Sequence, residues 1–306
     1  RRDNLYILVS RAESCNVSAA ADTRLWHRRC GHINYKQLKK VGSAEAVRGL
    51  PKLQKLKEVC DACKKGKQTG SPHKPVEHSA RKIWELVHTD LCGPMRVKAT
   101  GGEYYFMLFI DDSTRMTWVY FLREKSEAFK SFKVFKYFVE KEKEMNIKKL
   151  RNDHGGEFTS SEFTEFCLEN GVKQEFSAPR TPQQNGVVER KNRTVLEMAR
   201  TMMLEKNVSK GFWKEAVHAA VHVQNRIMFR PGTKQTSYEL WYKRKPTVEY
   251  FRVFGSKCFV KNKEQDKGKL DSRADESIFL GYCSNSKAYK CYIKRLGKLV
   301  ESADVV

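Results

Sequence analysis

Apolar and polar positions along this chain change period several times, and each change marks an element. LYILV at 5–9 has a short strand pattern, followed by a small-polar linker. KIWELVHTD (82–90) reads as a strand. YYFMLFIDD and MTWVYFL flank a turn containing Ser113 and Thr114, so they read as a hairpin. Over 126–144 the period becomes helical, with Phe129, Phe132, Phe135 and Phe138 on one spacing. IKKLRND reads as a strand, SSEFTEFCLENG as a helix closed by Gly171, and VKQEFSA as another strand. A loop of Pro, Gln and Asn then leads into a helix from Val187 to Lys206. The predicted order is βββαβαβα, with more helix over 210–228 and irregular chain through PGTKQT. Beyond residue 250, FRVFGSKCFVKN, ESIFLGYC and KAYKCYIKR alternate and are broken by Gly and Asn, as in a small all-β unit.

Charge narrows the partners. The 306 residues hold 59 Lys and Arg against 36 Asp and Glu, a net +23. That excess favours a polyanion, nucleic acid first. Nine cysteines are scattered, and only Cys60 and Cys63 lie close together. This usage suits a reducing, intracellular setting with free thiols and one metal pair, not a disulfide framework. The longest apolar run, YYFMLFI at 104–110, is too short to span a membrane, and no secretory signal is visible. No membrane partner is therefore expected. The chain starts at Arg1 and stops on a strand-like SADVV, as a piece of a longer polypeptide would. The length allows two or three domains.

Two constellations carry chemistry. LWHRRCGH supplies His27 and His32, and VCDACKKGK supplies Cys60 and Cys63. Two imidazoles and two thiolates suit tetrahedral Zn²⁺. The histidine spacing predicts both rings on one face of a helical turn, and CxxC predicts a tight knuckle. A closed set of four ligands leaves no open position, so one structural zinc is expected, stabilising a segment too small for its own core. Cys30 is a rival ligand, set aside because it lies so near both histidines.

The second constellation is acidic. Asp90 lies near the end of the first strand of the α/β pattern, Asp153 follows a later strand, and Glu189 opens the long helix, with 35 residues between it and Asp153. Acids on neighbouring strands and a helix can build a pocket for two Mg²⁺ ions. Asp111 and Asp112 are rivals, with hairpin turn chemistry the favoured role. Glu157 reads as a local structural or phosphate-loop residue, Gly155 and Gly156 as allowing close backbone approach, and His154 as solvated or near the metal. His218 and His222 sit at i, i+4 but lack the Glu of HExxH, so core or surface histidines are favoured. For DNA, Arg193 shares a helix face with Glu189 and is the best phosphate candidate, while Arg190 and Lys191 read as general charge. Gln183, Gln184 and Asn185 can contact sugar or base edges, or form a rigid turn that orients the helix.

HTDLCGPM, FIDDSTRMTWVYFL, LRNDHGGEF and FSAPRTPQQNGVVERKNRT resemble the core of a copia-type LTR retrotransposon integrase. WHRRCGH with CDACKKGKQ resembles that family's His-His-Cys-Cys domain, and TSYELWYKRKPTVEYFRVFGSKCFV with IFLGY resembles the segment that follows the core. The resemblance covers nearly the whole chain. It implies an α/β, RNase H-like core with a mixed five-stranded sheet, preceded by the zinc domain and followed by an SH3-like β-barrel. Its boundaries would be a strand and linker at 1–24, the zinc-binding pre-integrase domain at 25–70, a linker at 71–81, the core with its helical extension at 82–248 and the β domain at 249–306. It places the metal-binding triad, for Mg²⁺ or Mn²⁺, on Asp90, Asp153 and Glu189. The activity implied is DNA strand transfer, joining element 3′-hydroxyl ends to target DNA. The alternatives are an RNase H-like nuclease and a non-catalytic DNA-binding or assembly protein. It also implies a homo-oligomer, a parent Gag-Pol polyprotein with protease and reverse transcriptase regions, and action in the nucleus after a cytoplasmic virus-like-particle stage.

Overall fold

The computed structural model describes residues 19–54, 56, 60–67, 80–153, 155–176, 185–262, 270–284 and 286–306. The strand expected at 5–9, most of the linker before the core, His154, Gln183 and Gln184 lie outside the described residues. Five strands form a mixed sheet: β1 (Val87–Cys92), β2 (Tyr105–Asp111), β3 (Thr117–Leu122), β4 (Lys149–Asn152) and β5 (Lys173–Phe176), in the order β3-β2-β1-β4-β5. The β1–β2 and β2–β3 pairs are antiparallel, and β4 and β5 join in parallel. The first strand is central, and it starts at Val87 rather than at 82. Trp84 turns the chain with φ 62°, and its N–H is taken by Asp111 Oδ1 at 3.0 Å.

The apolar run of β2 is continuous because both of its faces are covered. Phe106, Leu108 and Ile110 enter one core, Met107 and Phe109 the other. On the Met107 face lie α4 (Ala128–Lys143) and α5 (Ser161–Glu169). Phe109 stacks on Phe135 with centroids 4.1 Å apart, and Phe132 on Phe163 at 5.1 Å. The phenylalanine stripe of α4 ends early: Phe138 is 62% exposed and Val139 takes the inward position. At 3.6 residues per turn, the face set by Phe132 and Phe135 returns at 139, not 138. Ser160 caps α5 by accepting the Phe163 N–H, and Gly171 closes it at φ 65°.

The opposite face carries α6 (Gly186–Glu205) and α7 (Trp213–Ile227). Against these pack the amino-terminal helices α1 (Ala19–Arg29), α2 (Tyr35–Ser43) and α3 (Asp61–Gly66). A short α8 (Ser237–Tyr242), not foreseen, buries Trp241 beside Trp84 and Trp118. The carboxyl-terminal sheet is β6 (Lys257–Lys261), β7 (Ala274–Tyr282), β8 (Tyr289–Ile293) and β9 (Lys298–Ser302), paired in chain order. Phe259 and Val306 exchange backbone hydrogen bonds at 2.7 and 3.0 Å, so the end of the chain returns to β6 and curls the sheet toward a barrel. One apolar core then joins Trp26 and Leu38, Met198 and Met202 of α6, Val217 of α7, and Phe279 and Tyr282 of β7. The amino-terminal unit, too small for a core of its own, completes one on α6.

The two histidines of α7 belong to this seam. His222 stacks on Tyr282 and bonds the Tyr250 hydroxyl at 2.9 Å, and His218 meets Ser284 Oγ at 3.1 Å. Burial first, then nearby Lys290 and Lys214, push the pKa of His218 down to about 4. A folded pKa below the unfolded one favours the neutral ring in the native state. Its stabilisation is complete above the ordinary value of 6.5 and is lost as pH falls from there toward about 4. His218→Gln, which can still bond Ser284, is expected to flatten the fall of melting temperature across that window. An unchanged slope would show that His218 does not set the acid limit.

Candidate metal centre and acidic site

At the amino end, the chain does not hold both histidines on one helical turn, as their spacing predicted. Helix α1 stops at Arg29, Gly31 and His32 take positive φ values of 62° and 60°, and the His32 N–H returns to His27 O at 2.7 Å. This tight reversal, not a helix face, brings the rings together. Cys60 stands at the N-cap of α3 and Cys63 within its first turn. The four potential ligand atoms lie within 4.8 Å of one another.

The separations test a metal directly. His32 Nδ1 to His27 Nε2 is 3.2 Å, Cys63 Sγ to His27 Nε2 is 3.4 Å, and Cys60 and Cys63 Sγ lie 3.5 and 3.7 Å from His32 Nδ1. A tetrahedral ion with Zn–N near 2.1 Å and Zn–S near 2.3 Å has N–N edges of about 3.4 Å and N–S edges of about 3.6 Å. The donor set fits such an ion. Each ring also spends its other nitrogen elsewhere. His27 Nδ1 donates to Ile33 O at 2.7 Å, and His32 Nε2 to Glu205 Oε2 at 3.0 Å. These bonds select the tautomers that leave Nε2 of His27 and Nδ1 of His32 free to ligate. Cys30 is fully buried in the apolar core and is not among the four.

The acidic residues meet through the sheet register. In the parallel β1–β4 pair, Val87 aligns with Leu150 and His88 with Arg151. Carrying that register forward three residues sets Asp90 beside Asp153, which follows β4 directly. Side chains alternate along β1. Val87 and Leu91 pack with the α4 core, so Asp90 and Cys92 face α6. From α6, Asn192 Nδ2 donates to Asp90 Oδ2 at 2.7 Å. Glu189, one turn earlier on the same helical face, is directed to the same place. β1 continues two residues beyond Asp90. The local electrostatics record the convergence: burial, then the charge of Asp153 and, more weakly, that of Glu189, push the Asp90 carboxyl up to about 7. Asp153 and Glu189 are exposed at the surface, and Asp153 Oδ1 accepts the Gly155 N–H at 3.1 Å.

The rival acids have other partners. Asp111 Oδ2 accepts from Ser113 Oγ, Thr114 N and Thr114 Oγ1 at 2.6–2.9 Å, closing the hairpin turn. Asp112 accepts from His88 Nε2 at 2.7 Å and Arg115 Nη1 at 2.6 Å, and these bonds outweigh its burial and hold its pKa down at about 2. Glu157 is half-buried and sits beside the Gly155 backbone, and neither Gly155 nor Gly156 has a positive φ.

Of the DNA candidates, Arg193 is exposed on the Glu189 face. Asn185 is only 1% exposed at the start of α6, and its carbonyl accepts the Glu189 N–H at 3.2 Å. That placement serves the turn orienting the helix, and the side chain is not offered to a DNA groove. Lys191 departs from the general-charge reading: it is half-buried, donates to Gln224 Oε1 at 3.3 Å, and burial pushes its pKa down to about 8. Two polar residues were missed. Asn192 had a usable signal, three residues from Glu189 on one helix. Glu205 had none, since 172 positions separate it from His32.

Comparison with known proteins divides the chain as its chemistry does. Residues 4–68 match the GAG-pre-integrase domain, 81–182 the integrase core domain, and 256–306 the retroviral polymerase SH3-like domain. The retrovirus-related Pol polyprotein from transposon TNT 1-94 of Nicotiana tabacum is 36% identical over 300 residues, 96% of this chain and 22% of that polyprotein. The one from transposon RE2 of Arabidopsis thaliana is 30% identical over 309 residues, 99% of this chain and 21% of the relative. The chain thus spans about a fifth of the curated relatives it matches. A solved simian T-cell lymphotropic virus intasome, in complex with PP2A regulatory subunit B56 gamma, aligns with a TM-score of 0.47 and 16% identity, over 80% of this chain and 86% of that one. The chain thus carries a pre-integrase, an integrase core and an SH3-like domain in this order, and is similar over nearly its whole length to these retrotransposon Pol polyproteins.

Proposed function

We propose that this integrase joins DNA ends by metal-dependent strand transfer at Asp90, Asp153 and Glu189. The observation that carries the reading is the shared register of Asp90 and Asp153, with α6 clamped beside them through Asn192. Two divalent cations, Mg²⁺ or Mn²⁺, held there would activate the attacking hydroxyl and stabilise the leaving oxygen. The chain's own part is positioning. Asn192 orients the Asp90 carboxylate, α6 presents Glu189, and Arg193 on the same face holds a backbone phosphate near the acids. The element's 3′-oxygen forms the new bond to phosphorus, and the target's bond from phosphorus to its 3′-oxygen breaks. The hydroxyl proton goes to solvent, and the target strand leaves with a free 3′-hydroxyl. One structural Zn²⁺ at His27, His32, Cys60 and Cys63 fits the closed donor set. Action on two element ends implies at least a dimer. The net charge of +23 suits DNA, and affinity should fall steeply with salt.

The direct test uses a labelled element-end oligonucleotide with Mg²⁺, beside the same oligonucleotide ending in a 3′-dideoxynucleotide. Joined product is expected only from the free 3′-hydroxyl. Release of short hydrolysed fragments from both, without joining, would make the chain a nuclease; binding without either product would make it an assembly protein. Asn192→Ala gives a finer check. Joining is expected to need more Mg²⁺ and to slow by about 10–100-fold at limiting metal, as when an outer-shell partner of a ligand is lost. A Mg²⁺ dependence like that of the wild type would remove Asn192 from the site.

A further inference from the structure

Helix α6 carries an acid at each end. Glu189 lies in its first turn, and Glu205 is its last residue, sixteen positions or about 24 Å further along. Glu205 is remote from the acidic site. Its Oε2 accepts from His32 Nε2 at 3.0 Å, and its Oε1 is held by Arg28 of α1. The carboxylate side chain is 16% exposed and the His32 ring fully buried. We infer that Glu205 is a positioning residue of the His27–His32–Cys60–Cys63 centre, and that through it metal loading in the amino-terminal unit orders the helix that presents Glu189.

Three observations beyond this hydrogen bond support a rigid link. The knuckle helix α3 lies directly on α6. A Cβ on Gly66 would stand 2.1 Å from Thr201 Oγ1, and Arg200 Nη1 donates to Gly66 O at 3.2 Å. The reversal between the histidines packs there too, since a Cβ on Gly31 would meet Met198 Cε at 2.7 Å. The apolar core of the amino-terminal unit is shared with Met198, Ala199 and Met202 of α6. The donor set therefore closes only while α6 is in place, and α6 is braced along its last two turns by the closed set. A carboxylate accepting the second ring N–H of a ligating histidine fixes the tautomer and raises ligand basicity. Here that carboxylate comes from the integrase core, not from the unit that supplies the four ligands. The assignment of Glu205 rests on the geometry of the His/Cys centre alone. Its consequence for catalysis rests on the role proposed for Glu189.

The test reads metal and backbone, not DNA joining, so its failure is separate from failure of the strand-transfer reading. Zinc affinity is measured on the full chain by competition with a chromophoric chelator. Glu205→Ala is expected to weaken zinc binding by about 10–100-fold. Glu205→Gln, whose amide oxygen can still accept the His32 proton, should recover part of the loss. Zinc affinity unchanged in Glu205→Ala would overturn the assignment. Hydrogen exchange on the wild-type chain needs no variant. Removing zinc is expected to speed exchange across 186–205 while 128–143, on the other face of the sheet, stays protected. Unchanged protection of 186–205, or equal loss in both segments, would show that the centre does not act through α6.

Discussion

Glu189→Gln is expected to lower strand transfer by on the order of 10³-fold or more, with DNA affinity and folding kept. Glutamine has the shape of glutamate but removes a negative ligand from a site whose chemistry depends on cation charge at the reacting oxygens. Glu189 is exposed, so the change should alter stability by no more than about 0.5 kcal/mol. Affinity should persist, since on the proposed reading it would come from the basic surface, Arg193 included. Asp153→Asn is expected to behave alike, since Asp153 is also exposed and its contact with the Gly155 N–H survives in the amide oxygen. Both variants should be assayed beside the wild type with one labelled end, and binding followed separately by anisotropy. Joining that survives Asp153→Asn would move the metal site elsewhere. Loss of binding together with joining would mean that these acids hold the fold or the DNA surface rather than the chemistry.

The second large effect concerns stability. Cys63→Ser is expected to abolish stoichiometric zinc and to lower the melting temperature by on the order of 10 °C. A structural zinc centre contributes roughly 10–16 kcal/mol of apparent binding free energy in isolated fingers. Even a fraction of that is several degrees in a chain of this size. The sequence alone confines the expected zinc to a small amino-terminal segment. The shared core enlarges the affected region, because Trp26, Cys30 and Leu38 lie in one cluster with Met198 and Met202. Chelation of the wild type should therefore cost helical signal in α6 as well as in the amino-terminal helices. Zinc content and melting temperature equal to those of the wild type would remove Cys63 from the ligand set.

Much of this was legible in local patterns, for identifiable reasons. The five core strands and the helices beside them followed from period and flanking breakers, because each element's exposed and buried faces repeat over a few residues. The hairpin-turn role of Asp111 followed from turn chemistry, which joins near neighbours, whereas Asp112 is held by His88 as well as by Arg115. Errors arose where a distant partner decided the conformation. The start of β1 depends on Trp84, whose N–H is taken by Asp111 across the hairpin. Phe138 is the local exception: it belonged to the stripe by type but not by helical angle. Asn185 had a side chain suited to DNA, and its burial is visible only once α6 is packed.

The sequence by itself determined which residue types could do the chemistry: two histidines with a CxxC pair, two aspartates and a glutamate, and a strongly basic surface around them. Such chemistry is carried by side-chain identity and short spacings, and these do not depend on the fold. Only the tertiary structure decided how the groups meet. Asp90 aligns with Asp153 because β1 and β4 pair in parallel at one register. Asn192 reaches Asp90, and Glu205 reaches His32, because α6 lies across the sheet with the amino-terminal unit against its far end. Contacts between residues more than a hundred positions apart leave no periodic trace in a chain. They exist only when packing brings the two segments together.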